Sequence, residues 1–244
     1  MTTSFDGWPA DATAVLAEIA ADNRAERWAE LRDRHTAAVR GPTLALAAEL
    51  EGEFGRVRVL RPHVSRRFRP AAPPLRTDAG GVATSPGGCG LAFVLSPSEL
   101  GVTAGVFRFD RGQMHRYRAA VAGDAAVVGE LGAPDSGAEL SEVLERLAGD
   151  GLLPDPDGEL SGTPRGWSSD HPRIALARRR GLQVVRRWEL GEWISTSEPL
   201  DRVRAAWRAA CPLVDWLDMH VGTPDAAPLP ARKPAASESG PPPA

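Results

Sequence analysis

The sequence predicts an α+β fold in which N-terminal helices and a long C-terminal helix pack on one face of a mostly antiparallel sheet. Three observations lead to this prediction. Apolar residues recur at helical spacing before residue 50 and after residue 197. Between residues 57 and 109, and again at 182–188, they alternate or form short runs bounded by Gly and Pro, as strands do. The regular exchange of helix and strand that marks a doubly wound parallel sheet is missing.

Three helices are predicted near the N-terminus. Trp8-Pro9 opens the first, because proline suits a first helical turn, where its missing N–H would have no partner anyway. The second carries an apolar stripe from Trp28 to Val39, and Gly41-Pro42 should break it. Leu44 to Leu50 then form the third helix.

The predicted strands follow, and a hairpin is the clearest of them. Val82 to Thr84 and Leu91 to Leu95 flank Ser85-Pro86-Gly87-Gly88, whose glycines can adopt the positive φ angles of a tight turn. The other strands should be Val57 to Val59, Val102 to Phe109 and Leu182 to Trp188.

The later helices are predicted from apolar stripes and from residues typical of helix ends. Two of them are predicted at 113–121 and 140–147. Asp170 or His171 should cap a short helix that ends near Gly181. Ser197 should cap the last helix with Pro199 in its first turn, and Pro212 should kink or restart it.

Composition favours one cytoplasmic α+β domain over residues 1–222 and a disordered Pro/Ala-rich tail over residues 223–244. The tail holds too little apolar surface to order itself. No apolar run is long enough for a membrane span, and the first 22 residues hold acids but no basic residue, unlike a signal peptide. The two cysteines have no CxxC context, which argues against structural zinc and fits a reducing compartment.

Charge is unevenly distributed, although the net formal charge is only -3. Residues 56–77 hold seven arginines and no acid, and residues 161–187 hold seven arginines against Asp170. Residues 121–160 hold ten acids against Arg146. Such blocks need partners, either one another or an external anion.

Several short motifs resemble those of a bacterial family catalogued as domain of unknown function 2461. They are Asn23 with the helix after it, Arg67-Phe68, Pro74-Leu75-Arg76-Thr77 and Pro164-Arg165-Gly166-Trp167-Ser168-Ser169-Asp170-His171-Pro172. The resemblance runs from Phe5 to about Val221 and implies an architecture but no reaction. The central signature is partly lost, because other residues replace the family's polar ones at five positions: Val64, Ser65, Ala71, Ala72 and Leu75.

The arginines within these motifs are the main candidates for a ligand site. Guanidinium presents a planar fork of donors that suits phosphate or carboxylate. Arg61, Arg67, Arg76 and Arg165 are therefore predicted to share a pocket for a small anionic ligand. The alternative is that they pair with the acidic segment or lie on the surface.

Asp170 and His171 are candidates of a second kind, since a carboxylate and an imidazole can form an acid–base pair. Capping preferences favour the simpler interpretation of an N-cap followed by Pro172. No histidine stands at metal-ligand spacing, and Gly87-Gly88-Cys89-Gly90 lacks the Lys-Ser/Thr of a phosphate loop. The sequence thus predicts neither a metal nor a cofactor.

Three functional hypotheses follow from these observations. The first is a binding or enzymatic module for a small anion. The second is a non-enzymatic interaction or scaffold protein that has lost its family's polar site. The third is association with nucleic acid, which ranks below a small anion because the sequence pI is about 6.0. The sequence leaves catalysis, substrate and oligomeric state open.

Overall fold

The fold is α+β, as the sequence predicts. The computed structural model describes residues 4–65, 67, 71–123, 135–156 and 158–225. Six strands form one sheet in the order β1-β2-β3-β4-β6-β5, and every neighbouring pair is antiparallel. The strands are β1 Arg58–Val59, β2 Ala79–Thr84, β3 Gly90–Leu95, β4 Glu99–Val106, β5 Leu153–Pro154 and β6 Leu182–Glu189.

Helices account for most of the remaining described residues. They are α1 Asp11–Ala21, α2 Ala25–His35, α3 Gly41–Phe54, α4 Arg111–Ala122, α5 Ser136–Gly149, α6 Ile174–Ala177 and α7 Glu198–His220. A π-helical turn, Thr36–Arg40, joins α2 to α3, and a 3-10 turn, Glu192–Ser195, precedes α7.

The core lies between the sheet and the helices that cover it. Alternate residues of β3 and β4 point into it, so Phe93 and Val102 are buried while their neighbours along the strand are only half-buried. Trp207 of α7 packs on this face, with its ring centroid 6.2 Å from that of Phe93 and 5.1 Å from that of Phe54. Trp8 reaches Phe93 from the N-terminal side.

The predicted helix break at Gly41-Pro42 is wrong, and the last helix does not restart at Pro212. The chain passes from α2 through the π-helical turn into α3, so Gly41-Pro42 begins α3 instead of ending a helix. Proline is tolerated there because the π-helical turn replaces the regular i→i−4 bonds at this point, and the Gly41 N–H bonds the Thr36 carbonyl five residues earlier. α7 likewise continues through Pro212, where tertiary packing of its buried stripe holds the helix together.

Smaller corrections concern the short elements. α6 begins after Arg173 and has no side-chain cap, so neither Asp170 nor His171 caps it, and it ends well before Gly181. Ser197 occupies the N-cap of α7 without making a cap bond. β5 was not predicted, because its pairing with β6 is a long-range contact. From residue 226 onward the predicted tail lies outside the described residues, as does Phe68 of the predicted Arg67-Phe68 motif.

Candidate functional site

A groove of about 770 Å³ lies between the outer face of α4 and the loop that precedes α6. The α4 side is a single stripe, because its lining positions recur at intervals of three and four residues. The described lining residues are Arg111, Met114, His115, Arg118, Ala119 and Ala122 from α4, and Arg165, Gly166, Trp167, Ser168 and His171 from the loop.

The opposite face of α4 is anchored in the core, which fixes the direction of the groove-facing stripe. Tyr117 and Val121 are fully buried. Asp110 and Gln113 form a capping box that defines where the helix begins, since each side chain bonds the backbone of the other residue. Gly123 ends the helix in a left-handed conformation, with φ of +77°.

Three hydrogen bonds hold the other wall against α4. The Tyr117 hydroxyl donates to the Leu176 carbonyl at 3.1 Å, and Arg118 Nε donates to the Ala177 carbonyl at 3.1 Å. Arg173 Nη1 donates to the Val121 carbonyl at 3.0 Å. These bonds join α6 to α4 along its length, so the loop that leads into α6 has a defined position beside the helix.

His171 is oriented within this wall by its own backbone. Its Nδ1 accepts the backbone N–H of Arg173 at 3.0 Å, and its ring meets Trp167 edge to face with centroids 4.5 Å apart. A neutral imidazole that accepts at Nδ1 carries its proton on Nε2. His171 therefore has an Nε2–H group to donate, and Nδ1 is already occupied.

The groove is positively charged. Three arginines and two histidines line it, and none of its described lining residues is acidic. Arg118 is half-buried, and this burial lowers the pKa of its guanidinium because a charge loses hydration there. No carboxylate of the described residues pairs with Arg111, Arg118 or Arg165, so an anion could meet their charge.

Only one of the four arginines predicted for a shared anion pocket lines this groove, and the other three lie in a different connection. Of the four arginines, all within the described residues, Arg165 lines the groove. Arg61, Arg67 and Arg76 lie in the connection between β1 and β2, at the opposite edge of the sheet from β5. Arg76 forms an ion pair with Asp78 at 2.6 Å.

Of the predicted acid–base pair, one member lines the groove and the other does not. His171 does, whereas Asp170 is exposed in the same loop and accepts from the Ser169 hydroxyl at 3.3 Å.

Sequence reasoning missed Arg111, His115 and Arg118. Their i, i+4, i+7 spacing, which starts two residues before the helix predicted at 113–121, was the available signal for one basic face.

One of the five positions where the family's polar residues are replaced, Leu75, has a structural role in this chain. Leu75 is 2% exposed, and its backbone N–H and carbonyl both bond the Asn23 side chain, at 3.0 and 2.9 Å. A cavity of about 10 Å³ near this connection is bounded partly by His35 and Asp78 and by none of the five replaced positions. That volume suits one water molecule at most.

A serine, an aspartate and a cysteine near the β2–β3 turn form a structural cluster. Asp218 accepts from the Ser85 hydroxyl at 2.7 Å and from the Gly87 N–H at 3.1 Å, which ties the hairpin turn to α7. Burial and the neighbouring Asp218 carboxylate raise the pKa of the Cys89 thiol to about 12. A thiol that stays protonated is a poor nucleophile, so this cluster does not suit covalent catalysis.

Comparison with known families shows to which family the chain belongs. A family model described as Conserved hypothetical protein (DUF2461) matches residues 11–216, more than four fifths of the chain. The chain belongs to this family. The resemblance seen in its motifs is thereby confirmed, and the Pro164 to Pro172 motif of this DUF2461 protein supplies the loop wall of the groove. Neither the curated proteins nor the solved structures include a match to the chain. Within the described residues, every helix is too short or too polar to cross a membrane.

Proposed function

We propose that this DUF2461 protein binds a small anionic ligand in the groove between α4 and the Pro164–Pro172 loop. The observation that supports the proposal is the lining itself, in which five basic side chains converge and no described lining residue is acidic. None of the described carboxylates forms an ion pair with Arg111, Arg118 or Arg165, so no described acid neutralises their charge.

The binding groups are partly preorganised. Arg118 is held by its Nε bond to the Ala177 carbonyl, which leaves its terminal N–H groups available for a bidentate contact. His171 is held by the bond at Nδ1 and adds one Nε2 donor. Groups that are already oriented lose less conformational entropy on binding, and a bound anion would offset the desolvation of Arg118.

Thermal unfolding in the presence of anions tests this proposal. Inorganic phosphate and citrate, compared with sodium chloride at equal ionic strength, should raise the melting temperature. Stabilisation at ten times Kd is about 1.4 kcal/mol, or about 3 to 6 °C for a chain of this size. Arg165→Met should weaken binding at least tenfold while leaving the unliganded melting temperature within about 2 °C, because no described residue bonds the Arg165 side chain.

The matched control is Arg187→Met. Arg187 is an exposed arginine of β6 that pairs with Glu99 at 3.2 Å and is not part of the groove lining. Its removal should leave anion binding unchanged. Equal stabilisation by chloride and phosphate, or equal loss of binding in both variants, would show nonspecific screening and refute the proposal.

A further inference from the structure

The groove is larger than a simple anion requires. Its volume of about 770 Å³ falls in the range of pockets that enclose organic ligands, roughly 300 to 1,000 Å³. A free phosphate ion would fill only a small part of it. If the proposed function holds, the ligand therefore has an organic body in addition to its anionic group.

The α4 wall has two chemically different parts. The helix rises through eleven residue steps from Arg111 to Ala122, so the wall is about 16 Å long at 1.5 Å per residue. The basic side chains occupy its first two thirds, ending at Arg118. Ala119 and Ala122 occupy the last third and leave space above the helix because their side chains are small.

The loop wall of the same groove carries an aromatic ring, that of Trp167. Arg173 bonds the Val121 carbonyl near the end of α4, and His171 is only two residues before it. Trp167 contacts His171 edge to face and is partly buried against the hydrophobic core. An indole that lines the same open space as two alanines offers an apolar surface on which a planar ring can stack.

We propose that the ligand is a phosphate ester of an aromatic ring system, of mononucleotide size. The phosphate binds the guanidinium groups of Arg111, Arg118 and Arg165, and the ring packs against Trp167. A small carboxylate or a sugar phosphate could bind the basic part of the groove but has no aromatic ring to pack against Trp167. A long nucleic acid strand fits the protein less well, because the chain as a whole carries a net charge of -3.

Isothermal titration with four compounds tests the inference: inorganic phosphate, ribose 5-phosphate, adenosine monophosphate and a ten-nucleotide single-stranded DNA. Adenosine monophosphate should bind at least tenfold more tightly than the first two. Trp167→Leu should abolish that tenfold difference when the compounds are compared in the same variant, whereas Trp167→Phe, which keeps an aromatic face, should retain most of it. Trp188→Leu, on β6 outside the groove lining, is the control and should change nothing.

The outcomes separate the two proposals. If the three small phosphates bind with equal affinity, the aromatic ligand class is wrong and the anion site stands. If the DNA binds more than tenfold tighter than adenosine monophosphate, the site belongs to nucleic acid and the inference is also wrong. Absence of binding by all four compounds would overturn both. Far-ultraviolet circular dichroism and the melting temperature of each variant establish that a lost affinity reflects the site and not unfolding.

Discussion

Arg173 connects three helices through one guanidinium group, and its removal gives a measurable test of how the groove is held open. Its Nη1 donates to the carbonyl of Val121 at the end of α4, and its Nη2 pairs with the carboxylate of Asp135, the N-cap of α5. The residue itself immediately precedes α6. The side chain is 19% exposed, so these contacts are largely shielded from water.

The cost of Arg173→Met can be worked out from these contacts. A hydrogen bond from a charged donor to a buried carbonyl contributes about 1.5 to 3 kcal/mol. The ion pair adds at most about 1 kcal/mol, because Asp135 is 48% exposed and solvent screens the interaction. We therefore expect a loss of about 2 to 4 kcal/mol in the free energy of unfolding. Arg173→Lys should recover part of it, since an ammonium group can reach one of the two acceptors.

Urea denaturation followed by tryptophan fluorescence measures this change, and the m-value should stay constant. Arg187→Met is again the control, with an expected loss below about 1 kcal/mol because that side chain is 59% exposed.

The Arg173 guanidinium also lowers the pKa of Asp135. A carboxyl with a depressed folded pKa contributes stability above its unfolded pKa and loses it as pH falls, so this acid-dependent loss should be smaller in Arg173→Met. A loss below 1 kcal/mol, or one equal to that of the control, would refute the reasoning.

Two further predictions concern buried groups. Burial lowers the pKa of His35, so its contribution to stability is full above pH about 6.5 and declines as pH falls below that value. The unfolding free energy of His35→Phe should therefore fall less between pH 7 and 5 than that of the unaltered protein. Some pH dependence should remain in the variant, because burial also lowers the pKa of His220. An equal fall in unfolding free energy in both proteins would contradict this. At pH 8 iodoacetamide should label the half-buried Cys211 of the native protein faster than Cys89, whose thiol is buried beside Asp218, and mass spectrometry after urea should show both labelled. Equal native rates would show that Cys89 is accessible.

Local sequence patterns were enough to predict most elements. The β2–β3 hairpin follows from two apolar runs around a Pro-Gly-Gly turn, and α5 follows from its apolar stripe. Boundaries were less well predicted, because the ends depend on pairing and capping partners elsewhere in the chain. β4 begins at Glu99 and not at Val102, since its register extends along β6 as far as Glu189.

Sequence analysis identified candidate residues in only one of the two walls of the groove. The Pro164–Pro172 motif drew attention to Arg165 and His171, which do line the groove. Nothing in the local pattern indicated that α4, about fifty residues earlier in the chain, would form the other wall. The bonds from Tyr117, Arg118 and Arg173 that bring the two segments together are side-chain contacts to distant carbonyls, and no periodicity reports them.

The sequence by itself determined the α+β class, the family and the strong basic bias of the segment that ends in β6, because composition, periodicity and motifs are local properties of the chain. Only the tertiary structure decided which basic groups meet. It paired Arg76 with Asp78 and placed Arg165 in the lining of one groove with Arg118 and His115, where no described lining residue is acidic. The physical reason is that charge pairing depends on distances of a few ångströms between residues far apart in sequence, and these distances are fixed only when the helices dock on the sheet.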